Sequence, residues 1–277
     1  MSGFLDEMGR ASRERADAAR ATESVAALER RAAATPVAPP LVLSPAGFDV
    51  IAEIKRRSPA AGALAAVGDD WLARARDYAR AGAAAVSVLT EPTRFDGALA
   101  HLESAAAALR PLGVPAMRKD FLVDPYQVLE ARAAGAGGVL LILRMLSAAQ
   151  CAELIDAAER CGLYVLLEAF DADELARAGE LASARAGRVP LLVGLNCRDL
   201  QTLAVVPARF AALAASLPAS APAVAESGVA TADDARRLRR LGYRLALVGS
   251  ALMRHPDPAD WIRSVLRVAR TDAAQNG

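Results

Sequence analysis

Short apolar stretches, often rich in β-branched residues, recur along the chain from residue 49 onward. Between them lie segments of alanine, arginine and glutamate with helical spacing, such as residues 69–82 and 124–137, with glycine near their ends. The apolar stretches are too hydrophobic to have a solvent face, which is typical of parallel strands covered by crossover helices. Eight such strands are predicted, at residues 49–55, 84–90, 114–119, 138–143, 163–168, 191–196, 222–227 and 245–250.

Eight alternating strand and helix units predict a (β/α)8 TIM barrel of the α/β class. An open doubly wound sheet is the main alternative, but such a sheet usually has a GxGxxG turn after its first strand, where this chain has KRRSP. A non-enzymatic alternative is an alanine-rich helical repeat scaffold, which would contain no strands. The β-branched composition of the strands favours the barrel.

The first 35 residues have a different pattern, that of a polar, alanine-rich helix ending before Pro36. Pro39 and Pro40 mark the link that follows. We therefore expect residues 1–48 to form an N-terminal helical extension packed on the barrel. Residues 49–277 are then the catalytic barrel, in a single domain overall.

Composition narrows the class of function. An apolar fraction of 54% indicates a globular protein, and no charge-free apolar run is long enough to span a bilayer. A net charge of +1 gives no basic surface for nucleic acid or an anionic membrane. Three widely spaced cysteines and the lack of a signal segment predict a cytoplasmic protein with reduced thiols. We expect a small-molecule partner, no metal, and a monomer or weak oligomer.

Lysine is unusually rare in this chain. Of 33 basic residues only Lys55 and Lys119 are lysines, and the others are arginines. A coding bias could explain the arginines but not the two exceptions. Because lysine can lose its proton when buried whereas arginine stays charged, proton transfer can require lysine specifically. The alternative is that both are ordinary surface residues.

Polar side chains occur at the carboxyl ends of five predicted strands. Strand alternation points them to the barrel interior, where ionisable groups are tolerable only if they converge at the catalytic face. Singly, each could be a structural ion pair or a buried amide, but together they predict one site for proton transfer. The residues are Glu53, Lys55, Lys119, Glu168, Asn196, Arg198 and Glu226.

Small residues follow the last two strands, in ESGV (226–229) and VGSAL (248–252). Barrel enzymes commonly hold a phosphate at the loops after strands seven and eight, where backbone N–H groups are accessible. The order and position of these segments predict a phosphate-binding site, although each segment alone could be an ordinary turn.

Long sequence motifs resemble those of the indole-3-glycerol-phosphate synthase family, in the same order and over nearly the whole barrel. The motifs are IAEIKRRSP (51–59), SVLTEPTRFDG (87–97), MRKDFLVDPYQVLEARAAGA (117–136), GLNCRDL (194–200), AESG (225–228) and VGSALMR (248–254). The resemblance implies a carboxy-lyase of tryptophan biosynthesis. It would convert 1-(2-carboxyphenylamino)-1-deoxyribulose 5-phosphate to indole-3-glycerol phosphate, carbon dioxide and water without a cofactor.

The resemblance also implies roles for individual residues. Lys119 matches the general acid and Glu168 the general base of the dehydration. Lys55, paired with Glu53, would contact the substrate and could share the acid role. Asn196 and Glu226 complete the catalytic set. Substrate-binding residues implied by the match are Ser58, Pro59, Phe95, Phe121, Arg198, Ser227, Gly228, Leu247, Gly249 and Ser250.

Two further points stay open from the sequence. Ala61 stands where family members commonly have a lysine, which affects the expected rate more than the reaction. A lysine near carboxylates also suits a Schiff-base aldolase, and the same barrel suits a phosphosugar isomerase. Either would be an alternative enzymatic function.

Overall fold

Eight parallel strands close into a barrel in the computed structural model, which describes residues 3–58, 62–63, 70–199 and 202–271. Each strand pairs with its neighbours in chain order, and the last pairs with the first to close the barrel. The predicted TIM barrel is confirmed, and the doubly wound sheet and the helical scaffold are excluded. The strands are β1 (Asp49–Ile54), β2 (Ala85–Leu89), β3 (Ala116–Lys119), β4 (Gly138–Ile142), β5 (Tyr164–Ala169), β6 (Leu191–Asn196), β7 (Ala223–Glu226) and β8 (Leu245–Val248).

Helices alternate with these strands and cover the outside of the barrel. They are α1 (Phe4–Thr22), α2 (Val25–Ala34), α3 (Trp71–Arg80), α4 (Pro92–Phe95), α5 (Leu99–Leu109), α6 (Pro125–Ala133), α7 (Ala148–Arg160), α8 (Ala172–Ala184), α9 (Ala208–Ala212), α10 (Ala232–Arg240), α11 (Ser250–Arg254) and α12 (Pro258–Thr271). Short 3-10 helices span Arg110–Leu112, Leu143–Met145 and Ala214–Ser216, and an antiparallel two-residue pairing joins Arg57–Ser58 to Gly62–Ala63. Within the described residues, no helix combines the length and apolar character needed to cross a membrane.

Side chains alternate along each strand between two separate apolar clusters. On β1, Val50 and Ala52 pack outward against the helices, whereas Ile51 packs inside the barrel with Met117 and Leu166. Alternation with a period of two therefore fixes which residues face inward at the end of each strand. This is why the polar residues at the carboxyl ends meet at one mouth of the barrel.

Polar residues at the starts of the helices explain where several of them begin. The Asp124 carboxylate accepts a hydrogen bond from the Tyr126 backbone N–H, and the Gln127 side-chain oxygen accepts one from the Asp124 backbone N–H, so α6 has a complete capping box. Thr231 caps α10 in the same way, through the backbone N–H of Asp234. These caps set the lengths of the loops that carry the site.

The N-terminal extension differs from its prediction. It contains two helices, α1 and α2, where one helix over residues 1–35 was expected. The helix breaks at Glu23 and Ser24, which have extended backbone angles, and the Ser24 hydroxyl accepts a hydrogen bond from the Ala27 backbone N–H at 3.3 Å. A serine that caps a new helix competes with continuation of the old one. The break lets both helices pack on the barrel, where Met8 and Leu28 are buried.

Candidate active site

A cavity of about 540 Å³ opens at the carboxyl ends of the strands. It lies within the size range of ordinary ligand pockets, which is about 300–1,000 Å³. Both lysines line it, so the structure brings together the two residues that the sequence analysis placed at one site. The other predicted residues in its wall are Glu53, Phe95, Phe121, Glu168, Asn196, Arg198, Glu226, Ser227, Gly228, Leu247, Gly249 and Ser250.

The predicted loop residues after β1 lie at the limit of the structure. The backbone of Ser58 is described, but its side chain is not, and Pro59 and Ala61 fall outside the described residues. Their place relative to the cavity therefore stays a prediction.

Lys119, at the end of β3, is held between two carboxyl groups, one from β5 and one from β7. Its Nζ lies 3.3 Å from Glu168 Oε2 and 3.5 Å from Glu226 Oε2. Burial alone would lower the pKa of Lys119, but the negative charges of Glu168, Glu226 and Glu53 outweigh it and raise the pKa above its usual range. Lys119 is therefore a charged ammonium, able to donate a proton, at neutral pH.

Glu226, at the end of β7, is almost fully buried. No described N–H or hydroxyl group donates a hydrogen bond to either of its carboxyl oxygens, because Lys119 is near but not in bonding geometry. Burial raises the pKa of Glu226 well above its usual range, and the neighbouring charge of Glu168 raises it further, with only partial relief from Lys119. Glu226 therefore holds its proton to a higher pH than an ordinary carboxyl group.

Lys55 and Glu53 form the second ion pair of the cavity, with Nζ and Oε1 2.7 Å apart. Glu53 is buried, which by itself raises the pKa of its carboxyl group. The charges of Lys55 and Lys119 outweigh that effect, so the pKa of Glu53 is lowered and the group is ionised. The two lysines have separate carboxylate partners and are not interchangeable.

Asn196, at the end of β6, orients Glu168. Its amide Nδ2 donates to Glu168 Oε1 at 3.2 Å, and its Oδ1 accepts a bond from the backbone N–H of Arg198 at 3.0 Å. The Arg198 guanidinium donates to the backbone oxygen of Leu203 at 2.6 Å, which braces the loop after β6. One oxygen of Glu168 thus faces the amide while the other faces Lys119.

The loops after β7 and β8 bring small residues to the same cavity wall. Ser227 and Gly228 both have left-handed backbone angles, with φ of 65° and 81°. The thiol of Cys197 donates to the Ser227 backbone oxygen at 3.2 Å, so this uncommon serine conformation is held from the neighbouring loop. Gly249 and Ser250 lead into α11 beside it.

An apolar wall faces these groups, and the sequence predicted only part of it. Phe121 contacts Phe95 with ring centroids 6.2 Å apart, as expected, and also contacts Phe4 edge-on at 5.8 Å. Phe4 and Leu5 come from the first turn of α1 and were missed. Their signal is a cluster of apolar residues at the start of an otherwise charged helix, although the sequence does not show what that cluster packs against.

Asp120 is a second residue that the sequence analysis missed. It is buried next to Lys119 and accepts hydrogen bonds from Thr90 Oγ1 at 2.7 Å, from the Phe121 backbone N–H at 2.8 Å and from Arg15 of α1 at 2.8 Å. It thereby ties the extension to the loop that carries Phe121. Its place in the KDF segment between Lys119 and Phe121 was the available signal.

Comparisons with known proteins match this chain to one family. Residues 5–265 match the family model described as indole-3-glycerol phosphate synthase. A protein of that name from Nocardioides sp. is 43% identical over 258 residues, covering 92% of this chain and 95% of that protein. Another from Leifsonia xyli is 46% identical over 239 residues, covering 84% and 87%.

Solved structures show the same fold at low identity. 3-Hexulose-6-phosphate synthase from Salmonella typhimurium superposes with a TM-score of 0.60 at 15% identity, covering 80% of this chain and 98% of that one. Phosphoribosyl anthranilate isomerase from Thermotoga maritima gives a TM-score of 0.54 at 14% identity, with the same two coverages. These structures support the barrel alone. The match over nearly the full length, with relatives above 40% identity, shows that this chain belongs to the indole-3-glycerol phosphate synthase family.

Proposed function

We propose that this chain converts 1-(2-carboxyphenylamino)-1-deoxyribulose 5-phosphate to indole-3-glycerol phosphate, with Lys119 as proton donor and Glu168 as general base. Its family makes it a decarboxylating lyase of tryptophan biosynthesis. The observation that carries the residue assignment is the position of the Lys119 ammonium, which lies between Glu168 and Glu226 at the barrel mouth. An acid and a base within hydrogen-bond distance are what the two proton-transfer stages of the reaction need.

Ring closure is the step assigned to Lys119. The aromatic carbon bearing the carboxylate attacks the ketone carbon, and Lys119 gives its proton to the ketone oxygen, which becomes a hydroxyl group. The bond to the carboxylate then breaks, its electrons return to the ring, and carbon dioxide leaves. Because nearby carboxylates keep Lys119 protonated, the donor is ready before the substrate binds.

Dehydration is the step assigned to Glu168. The new hydroxyl group leaves as water after taking up a second proton, while the Glu168 carboxylate accepts the proton that the five-membered ring loses. The amide of Asn196 fixes the direction of that carboxylate. Glu168 can pass the accepted proton to the neutral Lys119 amine 3.3 Å away, which restores that pair. The second proton, which leaves with the water, is supplied by solvent, so the overall reaction takes up one proton.

The remaining groups bind the substrate. Lys55, held by Glu53, contacts the sugar part of the substrate. Arg198 contacts the anthranilate part, which packs against Phe95 and Phe121. Ser58, Pro59 and Leu247 complete the contacts. Backbone groups at Ser227, Gly228, Gly249 and Ser250 cradle the phosphate, as the loop positions favour. We further propose that the chain acts in the cytoplasm as a monomer, without cofactor, nucleic-acid or membrane partners.

A Schiff-base mechanism is disfavoured by the charge state of Lys119. A lysine must be a neutral amine to attack a carbonyl group, and the carboxylates around Lys119 keep it protonated instead. Borohydride added with the substrate would trap a covalent adduct at Lys119 if the Schiff-base alternative were correct. We expect no adduct.

The assay follows the fluorescence of indole-3-glycerol phosphate formed from the carboxyphenylamino substrate. Lys119→Arg keeps a cation between the two carboxyl groups but removes an efficient proton donor, so we expect kcat to fall by about 10²–10⁴. Glu168→Gln should fall in the same range. Full activity of Lys119→Arg would refute the assignment of the acid, whereas an inactive wild type would refute the proposed function itself.

A further inference from the structure

Gly194, in the middle of β6, lies directly below the Glu226 carboxyl group. It faces the barrel interior, because it pairs in register with Glu168 on β5, whose side chain points inward. A Cβ atom built on Gly194 would lie 2.0 Å from Glu226 Oε1 and 3.0 Å from the carboxyl carbon of Glu226. No such pair of atoms can coexist, so the carboxyl group occupies the space that any other residue at position 194 would fill.

The same position is closed on its other side. Leu166 Cδ1 would lie 3.2 Å from the added Cβ atom. The methyl group of an alanine therefore cannot avoid Glu226 by shifting towards Leu166. Leu166 is fully buried inside the barrel, whereas the Glu226 carboxyl is the far end of a flexible side chain. A methyl group at position 194 would therefore displace the carboxyl by at least about 1 Å rather than the backbone.

That displacement matters because of what Glu226 touches. Glu226 Oε2 lies 3.5 Å from Lys119 Nζ, and no described N–H or hydroxyl group donates a hydrogen bond to either of its oxygens. A protonated Glu226 can itself donate to Glu168, and this contact together with the surrounding packing sets the position of the carboxyl group. The contribution of β6 to that packing is the space left by the missing side chain of Gly194.

We propose that Gly194 is a positioning residue, whose missing side chain holds the Glu226 carboxyl within reach of Lys119. The proposal rests on the proposed function for its kinetic consequences but not for its structural ones. No positive φ is involved at this position, so alanine is compatible with the strand backbone. Replacing Gly194 by alanine therefore tests only the effect of filling the space next to the Glu226 carboxyl group, without backbone strain.

Gly194→Ala should lower kcat by about a hundredfold, as misplacement by 1 Å of a group at a catalytic site can. KM should change by about threefold or less, because the phosphate loops and the apolar wall are untouched. Once pH has risen through the raised pKa of Glu226, three carboxylates face Lys119, those of Glu168, Glu226 and Glu53. Moving one of these away lowers the pKa of Lys119, so the alkaline limb of the kcat profile should shift to lower pH. A loss of folded protein would instead lower kcat by the same factor at every pH.

The deciding experiment is a double-mutant cycle of Gly194→Ala and Glu226→Ala, measured both in kcat and in Tm. In the wild-type background Gly194→Ala should lower Tm by about 5 °C through overpacking. In the Glu226→Ala background the added methyl group has room, so Gly194→Ala should lower neither Tm nor kcat below the values of Glu226→Ala alone. Gly138→Ala is the matched control, since this inward glycine lies beneath the Tyr164 ring at the opposite end of the barrel.

Each outcome decides the proposal. Non-additive effects on Tm and kcat, with additive effects for Gly138→Ala, support it. Additive losses in the cycle, or wild-type kcat for Gly194→Ala, overturn it. If Gly194→Ala fails to fold, the double variant should still fold like Glu226→Ala, and its failure to do so would overturn the proposal. The Tm cycle needs no substrate, so it remains decisive even if the proposed reaction is wrong.

Discussion

Replacing Arg15 should show how strongly the N-terminal extension is tied to the site. Arg15, on α1, donates to Asp120 at 2.8 Å and lies 3.7 Å from Glu91, and both carboxylates are buried. Asp120 directly follows Lys119, and Glu91 caps the short helix α4 that carries Phe95. Arg15→Ala removes the cation shared by the two loops and leaves both carboxylates in place.

The expected cost follows from the partners that remain. Leaving a buried charge unpaired typically costs about 3–5 kcal/mol. Asp120 would keep the Thr90 hydroxyl, the Phe121 backbone N–H and the Arg118 guanidinium, which lies 3.3 Å away. The loss should therefore be that of a single charged hydrogen bond, about 1.5–3 kcal/mol in the free energy of unfolding.

Arg94→Ala provides a matched control. The Arg94 guanidinium also joins α1 to the barrel, through Glu7 at 2.6 Å, but both side chains are about half exposed, at 47% and 48%. Such a surface pair is worth about 0–1 kcal/mol. Urea unfolding should thus give a clearly lower midpoint for Arg15→Ala than for Arg94→Ala, at equal m. Equal midpoints for the two variants would refute the argument from burial.

Three further perturbations test other parts of the structure. Glu226 has a raised pKa, so its contribution to stability is complete below its usual pKa of 4.5 and is lost as pH rises through the folded value. In urea unfolding, Glu226→Gln should therefore lose less stability than wild type as pH rises above about 5, and a parallel decline of the two proteins would contradict this. Gly97→Ala should cost about 3 kcal/mol or more, because the Cβ atom would meet the backbone of residues 89–91 at 2.5–2.8 Å, and an unchanged Tm would rule this out. Ser24→Ala should cost about 1 kcal/mol by removing the cap of α2, measurable by thermal unfolding, with Ser24→Asp restoring the loss.

The sequence predicted the barrel and the polar groups of its mouth because both depend on local rules. Strand alternation placed Glu53, Lys119 and Glu226 on the inward side, and closure of the barrel then brought them together. The scarcity of lysine identified Lys55 and Lys119 before any fold was considered. The division between extension and barrel at residues 48 and 49 stays a prediction.

What the sequence could not predict depends on contacts between distant segments. Phe4 enters the cavity wall only because α1 docks against Phe121, which no periodicity shows. The break at Ser24 was hidden by strong alanine propensity on both sides of it. The protonation of Glu226 depends on burial and on Glu168, and the role of Gly194 depends on a side chain from the next strand. Each is a property of packing rather than of local sequence.

The ionisable residues that line the cavity also bear on how substrate and product are told apart. Lys55, Lys119, Arg198 and Arg254 line it together with the carboxylates of Glu53, Asp120 and Glu168, while Glu226 has a raised pKa. Cations therefore prevail around a ligand, which favours the substrate, with its carboxylate and its phosphate, over a product that retains only the phosphate. Decarboxylation removes one of the two anionic groups through which the ligand is bound. The product should therefore bind more weakly than the substrate, which favours turnover over product inhibition.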